Sequence, residues 1–312
     1  MLYLLEPIES DIIDINEISR NPNSFSMREL NTTVFPDGTS QVWQLGNIKP
    51  TYHSEDSSIL VVYWDFVCES EVFQFLQLHR LLRSFSDEIR IHLVCPYLPY
   101  ARQDKEVSDD QCFALDVLFS CFENRACIDR IVTFDVHNPA RVLQLCRDYI
   151  PELFGYGNGF VNISPDIEIQ NFVSVVGPDL IVFPDKGAME RYKDIQCISG
   201  LNTLFFEKVR DQQTGNITSL RPSKEIPSHN TALVIDDICD GGRTFVEVAK
   251  FLDGSVKHLY VSHGLFSAEN GVGKLHDAGY KSVACKTINK KLSKRSVAEP
   301  TNITGEANYF IF

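Results

Sequence analysis

Apolar and polar stretches alternate along this chain in the manner of an α/β protein. Short apolar runs, typical of buried parallel strands, are separated by longer stretches in which apolar residues recur every three to four positions, as on one face of a helix. Such alternation predicts doubly wound parallel sheets. The predicted strands are 1–5, 59–63, 91–95, 131–134, 180–183, 204–206, 232–235 and 258–262, and the predicted helical faces lie within 78–85, 115–122, 139–149 and 245–252.

The chain has 312 residues, which is long for one domain and favours two. The stretch 151–165 contains three glycines and two asparagines, and the strand–helix pattern starts again after it. We therefore predict an N-terminal domain over 1–150 and a C-terminal domain over 151–312. The last ~20 residues are expected to pack back on the N-terminal domain.

Composition and charge narrow the class of protein. A hydrophobic content of 44% is enough for two cores, and the net charge of −13 argues against binding nucleic acid through the general field. The nine cysteines lack metal-ligand spacing and are expected to be reduced thiols of a cytoplasmic protein. No apolar run reaches the length of a membrane span, so we expect no membrane partner.

Polar residues follow several predicted strands at the point where each strand ends. In open α/β sheets, ligands bind outside the carboxyl ends of the strands. These positions together therefore predict one polar cleft, although any one of them alone is more often a surface turn. The five residues are Asp104, His137, Asp185, Asp236 and His263.

The densest of these stretches is ALVIDDICDGGRT, residues 232–244. A buried strand runs into the acidic pair Asp236 and Asp237, and a glycine loop then leads into a helix that begins near Thr244. Backbone N–H groups in such a loop suit a phosphate, whereas the two carboxylates suit hydroxyl groups or a bridging metal. The stretch therefore predicts a sugar phosphate ligand.

This stretch resembles the phosphoribosyl-diphosphate-binding motif shared by type I phosphoribosyltransferases and ribose-phosphate diphosphokinases. The segment PYLPYARQD at 96–104 resembles a signature of the diphosphokinases, which the transferases lack. Further segments resemble motifs of the same family in the same order: FPDG at 35–38, DVH at 135–137, PDKGAMER at 184–191, EKVR at 207–210 and HGLFS at 263–267.

The resemblance implies two domains of type I phosphoribosyltransferase-like fold. It also implies Mg²⁺-dependent transfer of the β,γ-diphosphate of ATP to the anomeric hydroxyl of a ribose 5-phosphate unit, with release of AMP. It places the ATP-site turn of one subunit beside the nucleotide of a neighbour, so a homodimer or larger homo-oligomer is expected. The residues that it assigns are Lys208, Arg210 and His137 for catalysis; Phe35, Asp37, Arg102, Gln103 and Asp104 for ATP; Asp236, Asp237, Asp240, Gly241, Gly242, Arg243 and Thr244 for ribose phosphate; and His137 and Asp185 for the metal.

Lys208 and Arg210 precede a polar, glycine-containing segment, 211–216, which is predicted to close as a lid. Phosphoryl transfer needs cations at the developing charge, which suits these two residues. The histidine is an unusual magnesium ligand, since magnesium prefers oxygen, so His137 either acts through water or contacts phosphate.

The chain also departs from the family pattern. Thr39 and Ala188 stand where the family has glutamate and glycine, and an acidic stretch follows ARQD. Arg243 adds a cation to the phosphate loop, where it either points to solvent or pairs with Glu247, or else contacts a second phosphate on the acceptor. The acceptor is therefore ribose 5-phosphate or a substituted form such as ADP-ribose, in a branch resembling proteins found beside NAD-salvage enzymes. The alternatives are a phosphoribosyltransferase and a non-catalytic regulatory homologue.

Overall fold

The computed structural model divides the chain into two compact units, an N-terminal unit (Met1–Ile163) and a C-terminal unit (Ser164–Phe312). Each unit is built around its own parallel sheet. The residues that the structure describes are 1–7, 15–20, 22, 25–43, 49–53, 58–106, 111–123, 128–154, 159–210, 217–268, 271–288 and 308–311.

The N-terminal unit alternates strands and helices regularly from residue 58 onward. Its helices are α1 (Ile15–Arg20), α2 (Ser70–Phe85), α3 (Ala114–Ser120) and α4 (Pro139–Tyr149), with a 3₁₀ turn at Pro151–Phe154. Its strands are β1 (Leu2–Leu5), β2 (Met27–Glu29), β3 (Thr32–Val34), β4 (Ser40–Val42), β5 (Tyr52–His53), β6 (Ser58–Trp64), β7 (Ile89–Val94), β8 (Ile128–Phe134) and β9 (Phe160–Ile163).

The sheet of this unit has the order β2-β1-β6-β7-β8-β9, with β5 also paired to β6. Strands β6 to β9 are parallel, and β1 and β2 extend the sheet in antiparallel pairing. Alternate residues of β6 enter opposite cores: Leu60 and Val62 pack with the residues of α2, α3 and α4, whereas Ile59 and Val61 pack with Ile18 of α1. Both faces of the sheet are therefore covered, which explains why these strands are continuous apolar runs.

The C-terminal unit repeats this architecture with longer strands. Its helices are α5 (Asp166–Val176), α6 (Lys186–Tyr192), α7 (Arg243–Ala249) and α8 (Gly271–Asp277). Its strands are β10 (Leu180–Phe183), β11 (Asn202–Arg210), β12 (Ile217–Pro222), β13 (Thr231–Cys239), β14 (Val256–Gly264), β15 (Tyr280–Ile288) and β16 (Asn308–Ile311).

The strand order here is β12-β11-β10-β13-β14-β15-β16. From β10 the chain moves outward to β11 and β12, and it then returns to the other side of β10 with β13. The winding direction therefore reverses between β10 and β13, and such a switch point opens a crevice at the carboxyl ends of its strands. Residues of α7 and α8 pack on one face of this sheet and residues of α5 and α6 on the other.

The structure confirms an α/β fold with parallel sheets and moves several boundaries. Strand β9 pairs with β8, so the N-terminal unit continues to residue 163 beyond the predicted 150. Of the last ~20 residues, expected to pack on the N-terminal domain, the structure describes Asn308–Ile311, which pairs instead with β15 of the C-terminal unit. No helix within the described residues is long and apolar enough to cross a membrane.

Candidate active site

The acidic pair lies at the switch point of the C-terminal unit. Strand β13 pairs with β14 as far as Cys239, so Asp236 and Asp237 belong to the strand itself and not to the turn predicted after residue 235. Their side chains point to opposite faces of the sheet, as neighbours on a strand do. Asp237 is 6% exposed, whereas Asp236 keeps part of its surface accessible and accepts a hydrogen bond from the Asp237 backbone N–H at 2.9 Å.

Burial raises the pKa of Asp236 well above its ordinary value, and the charges of Asp237 and then Asp185 raise it further. Both effects disfavour the ionised carboxylate, because they remove water and add like charge. The three acids therefore share one electrostatic neighbourhood at the carboxyl ends of β10 and β13. A cation or a set of ligand hydroxyl groups would stabilise this arrangement.

Arg191 supplies one cation to this neighbourhood, and the sequence analysis did not assign it a role. Its Nη1 lies 3.5 Å from Oδ2 of Asp237, and its guanidinium stands 5.7 Å from the ring centroid of Tyr192. Both side chains of the ion pair are largely buried, which strengthens their interaction. The signal was available in the sequence, because Arg191 is the arginine that closes the PDKGAMER segment.

Asp185 follows β10 and begins α6. Its side chain accepts a hydrogen bond from the Ala188 backbone N–H at 3.0 Å, which satisfies one of the amide groups that a helix start leaves unpaired. Lys186 is exposed and lies 3.6 Å from Glu190. The segment thus holds a carboxylate and a lysine at the same edge of the sheet as the acidic pair.

The glycine loop connects β13 to α7 in the conformation that a phosphate loop needs. Gly242 has a φ of +77°, a region that L side chains rarely adopt, and Thr244 lies in the first turn of α7. The hydroxyl of Ser267 donates a hydrogen bond to Asp240, and the backbone N–H of Leu265 donates to the carbonyl of Cys239 at 2.8 Å. The segment after β14 therefore supports the loop from behind.

Arg243 does not form the ion pair with Glu247 that was one of its predicted outcomes, and it is exposed, as the solvent-facing alternative predicted. The carboxylate of Glu247 instead accepts from the Lys250 ammonium at 2.7 Å. The side chain of Arg243 is exposed and lies along a groove between α7 and α8, next to Gly241. The groove begins at the first glycine of the loop and runs away from it along α7.

Lys208 and Arg210 lie near the end of β11, and the structure describes their backbone. Parallel pairing of β11 with β10 ends at Phe205, after which β11 continues as one arm of a hairpin with β12. At ~3.3 Å per residue this hairpin arm projects roughly 15 Å beyond the last paired residue. The register shifts between Val209 and Arg210, and the predicted lid, 211–216, lies outside the described residues.

The ARQD and DVH segments of the N-terminal unit lie side by side at the carboxyl ends of β7 and β8. The amide of Asn138 donates to the carboxylate of Asp104 at 2.7 Å, and its oxygen caps α4 by accepting from the Arg141 N–H at 3.1 Å. Asn138 thus fixes the two loops to each other, a role that the sequence analysis missed. Arg102, Gln103 and His137 are exposed at this edge.

Phe35 and Asp37 lie in the turn between β3 and β4, which form a separate two-stranded sheet. Gly38 turns the chain with a φ of +85°, and the Thr39 hydroxyl lowers the pKa of Asp37 by donating a hydrogen bond to its carboxylate at 2.7 Å. Gln77 of α2 anchors β4 through hydrogen bonds of 2.9 Å to the backbone of Val42 and Ser40. The turn itself is exposed.

His263 differs from the prediction. It lies within β14 and not beyond it, because the β13–β14 ladder continues through Ile238 and His263. The ring is 1% exposed, and its Nδ1 lies 2.8 Å from the hydroxyl of Thr287 on β15. The histidine is therefore a hydrogen-bonded residue of the core beneath the site.

A metal ion at this edge would need ligands beyond the protein. Within the described residues, no three His, Cys, Asp or Glu side chains come together closely enough to hold one. Asp185 and Asp236, whose charges interact, nevertheless suit Mg²⁺, which commonly binds one or two carboxylates and completes its shell with water and substrate phosphates. His137 belongs to the other unit, beside the ARQD loop.

The chain was compared with protein-family models, curated proteins and solved structures. No family model matches it. It is 27% identical over 295 residues to the ribose-phosphate pyrophosphokinase of Pyrococcus abyssi, covering 91% of each chain. It is 30% identical over 217 residues to ribose-phosphate pyrophosphokinase 2 of Archaeoglobus fulgidus, covering 66% of this chain and 71% of that protein.

The crystal structure of phosphoribosylpyrophosphate synthetase from Mycobacterium smegmatis matches with a TM-score of 0.63 over 82% of this chain and 78% of that one, at 19% identity. At this identity the match supports the fold, which is the type I phosphoribosyltransferase-like fold in both units. The identity to the curated relatives, the order of the motifs and the shared fold lead to one conclusion. The chain belongs to the ribose-phosphate pyrophosphokinase family of enzymes.

Proposed function

We propose that this protein transfers the β,γ-diphosphate of ATP to the anomeric hydroxyl of a ribose 5-phosphate unit and releases AMP. The observation that carries the proposal is the crevice at the β10–β13 switch point. There an acidic pair, a glycine loop with a left-handed residue and a lysine–arginine hairpin arm follow strands of one sheet. Each feature suits a different part of the two substrates, ATP and the ribose 5-phosphate unit.

Asp236 and Asp237 are assigned to the ribose hydroxyl groups. Carboxylates accept hydrogen bonds from hydroxyl groups, and these bonds would offset the cost of holding two acids side by side at the sheet edge. Arg191 keeps Asp237 oriented through its ion pair. The backbone N–H groups of the glycine loop and the start of α7 are assigned to the 5-phosphate.

Lys208 and Arg210 are assigned to the diphosphate in transit. As the anomeric oxygen forms its bond to the β-phosphorus, the bond from that phosphorus to the AMP oxygen breaks, and negative charge spreads over the phosphoryl oxygens. Two cations on a projecting hairpin arm can follow that charge and stabilise it. Asp185, with Asp236, is proposed to hold Mg²⁺, which would neutralise charge on the phosphates.

The N-terminal unit is assigned to ATP. Arg102 and Gln103 are exposed at the edge where Asn138 joins the ARQD and DVH loops, so their polar groups are available to a nucleotide. His137, exposed at the same edge, is assigned to the ATP phosphates. Phe35 and Asp37 are assigned to the adenine, on the turn of the β3–β4 hairpin.

Incubating the protein with ATP, Mg²⁺ and ribose 5-phosphate tests the proposal directly. A product heavier than the acceptor by one diphosphate, formed together with an equal amount of AMP, is the expected result. Release of ADP in place of AMP would mean transfer of a single phosphate and would overturn the assignment. A phosphoribosyltransferase would consume neither ATP nor ribose 5-phosphate, and a non-catalytic homologue would yield no product.

Arg243 supports a second acceptor. A free 5-phosphate is satisfied by the backbone of the loop and the Thr244 hydroxyl, so an added guanidinium favours a further phosphate on that position, as in the ADP-ribose of NAD salvage. Arg243→Gly should then lower kcat/KM for ADP-ribose by roughly tenfold and spare ribose 5-phosphate. An equal loss on both acceptors would assign the arginine to the shared 5-phosphate.

A further inference from the structure

A groove between α7 and α8 is lined by exposed cations and by small apolar side chains. The two helices pack against each other and leave a cavity of about 640 Å³. Its lining includes the apolar side chains of Val246, Ala249 and Ala278 and the cationic side chains of Arg243, Lys250 and Lys274.

The lining also contains two carboxylates, Asp253 and Asp277, and each has a basic side chain next to it. The Lys257 ammonium lies 3.7 Å from Asp253, and the ring of His276 lies 3.8 Å from Asp277. Lys250 donates to Glu247, which is not part of the lining. Arg243 and Lys274 remain, and neither has an ion pair or a side-chain hydrogen bond among the contacts of the described residues.

Arg243 and Lys274 are two exposed cations that face one cavity bordering the glycine loop, and no carboxylate among the described residues pairs with them. A ligand that carries negative charge would interact favourably with both. The apolar lining is as important, because an inorganic anion makes no favourable contact with it. A ligand with a phosphate at one end and a flat ring at the other can contact both the cations and the apolar side chains.

The walls of the groove are held in place from below. Tyr280 is buried, and its hydroxyl donates to the carbonyl of Phe245 on α7 at 3.0 Å. Leu275 of α8 is also buried, and it lies 3.6 Å from the position that a Cβ on Gly242 would occupy. The groove is therefore anchored to the core and to the phosphate loop, so a ligand in it would contact the loop through Gly241.

We propose that the α7–α8 groove binds an organic phosphate that carries a flat ring, with the phosphate between Arg243 and Lys274 and the ring on Val246, Ala249 and Ala278. Two ligands have this combination of a phosphate and a flat ring. One is the distal half of a large acceptor that extends past the 5-phosphate, and the other is a separate nucleotide. The proposal concerns binding alone. It can therefore fail or succeed independently of the proposed reaction.

AMP is the probe, titrated calorimetrically into the full-length protein in the presence of saturating α,β-methylene-ATP. This analogue occupies the ATP site and cannot transfer its diphosphate. We expect one further AMP per chain, and its Kd should rise by roughly tenfold or more in Lys274→Ala, as on loss of one charged contact. Val246→Glu, which places a carboxylate in the groove on a partly exposed helix face, should weaken AMP at least as much.

Lys224→Ala is the matched control, since it removes an exposed lysine outside the groove and should leave the Kd unchanged. Hydrogen exchange should show AMP-dependent protection in α7 and α8. No further AMP binding, or a Kd that is the same in Lys274→Ala and Val246→Glu as in the wild type, would overturn the proposal.

A parallel titration with ADP-ribose distinguishes the two sources. If ADP-ribose binds more tightly than ribose 5-phosphate and loses that advantage in Lys274→Ala, the groove holds the distal half of the acceptor. If Lys274→Ala weakens the binding of AMP but leaves the binding of ADP-ribose unchanged, the groove binds a separate nucleotide. Either result supports an organic phosphate site at this position.

Discussion

At the scale of single residues, the chain holds acids where a folded protein would be more stable without them. Asp236 and Asp237 are adjacent on β13, and Asp185 adds its charge to theirs. Strain or repulsion of this kind is common at functional sites, because the ligand supplies what the free protein lacks. The acidic pair is therefore better explained by ligand binding than by folding.

Asp236→Asn should stabilise the free protein at neutral pH. The pKa of Asp236 is raised in the folded state, so ionisation favours the unfolded chain at any pH above the ordinary value of about 3.9. Removing the charge should raise the Tm at pH 7 by roughly 2–4 °C, for a gain of about 1 kcal/mol. This gain should shrink as the pH falls towards 4, and thermal unfolding at several pH values would measure it.

The same substitution should weaken binding of the ribose acceptor and leave binding of ATP unchanged. A variant that is less stable than the wild type at pH 7, or equally stable at every pH, would contradict the electrostatic explanation. Asp253→Asn is a suitable comparison, because this exposed acid lies beside Lys257 and should lose a little stability on neutralisation.

Lys208→Ala tests the assignment of the hairpin arm. If the lysine stabilises the migrating diphosphate, kcat should fall by ~100-fold or more, which is the usual scale for one transition-state contact. Binding of ATP in the absence of an acceptor should stay nearly intact. Steady-state kinetics and an ATP titration of the same preparation would measure both, and a fall in kcat of less than tenfold would assign Lys208 to the surface.

At the scale of elements, the glycine loop after β13 depends on one backbone conformation. Gly242 has a φ of +77°, and a Cβ there would meet its nearest neighbour, Leu275, at an ordinary 3.6 Å. Substitution would therefore strain the backbone without a clash. Gly254, after α7, has a φ of +84° and nothing within 4 Å of its Cβ position, so it provides the same strain far from the site.

We expect Gly242→Ala and Gly254→Ala to lose similar stability, about 1–2 kcal/mol each, from the left-handed backbone. Only Gly242→Ala should raise KM for the ribose acceptor, because it alone misaligns the N–H groups of the loop. Chemical unfolding and steady-state kinetics on both variants would test this. Similar KM values in the two variants would mean that the loop does not hold the phosphate.

The sequence predicted the elements that are apolar and regular, such as β10 and α4, whose observed bounds match the predicted ones. Helix α5 was missed because its apolar residues cover both sides and no side chain caps its start. The acids of β13 were predicted as a turn, since polarity usually ends a strand. Their place in the ladder depends on pairing with β14, which a local pattern does not contain.

The candidate site likewise contains residues that the sequence identified and contacts that only the structure reveals. Its motif residues could be found from the chain because their order and spacing are specific. The Arg191–Asp237 pair, the Asn138 bridge between two loops and the α7–α8 groove depend on which helix packs beside which strand. Such contacts join residues far apart in sequence, and only the fold brings them together.

At the scale of the whole molecule, the β3–β4 hairpin is a candidate contact between two copies of this chain. Its turn is exposed, and Val34, Phe35 and Trp43 around it are large apolar side chains with exposures of 65%, 38% and 43%. Apolar exposure of this kind marks a surface that another molecule covers. The family resemblance assigns Phe35 and Asp37 to the nucleotide of a neighbouring copy, which predicts a homo-oligomer with shared sites.

Subunit complementation would test this prediction. The double variant Phe35→Ala with Asp37→Ala lacks the proposed hairpin contacts, and Lys208→Ala lacks the lysine that is proposed to be catalytic. If the hairpin of one copy serves the site of another, a mixed dimer contains one intact site, and free exchange of equal amounts should restore roughly a quarter of wild-type activity. Activity equal to the average of the two separate variants would mean that each hairpin serves its own chain. Mixing Asp236→Asn with Lys208→Ala is the control: both changes fall in the C-terminal unit, so this pair should restore nothing.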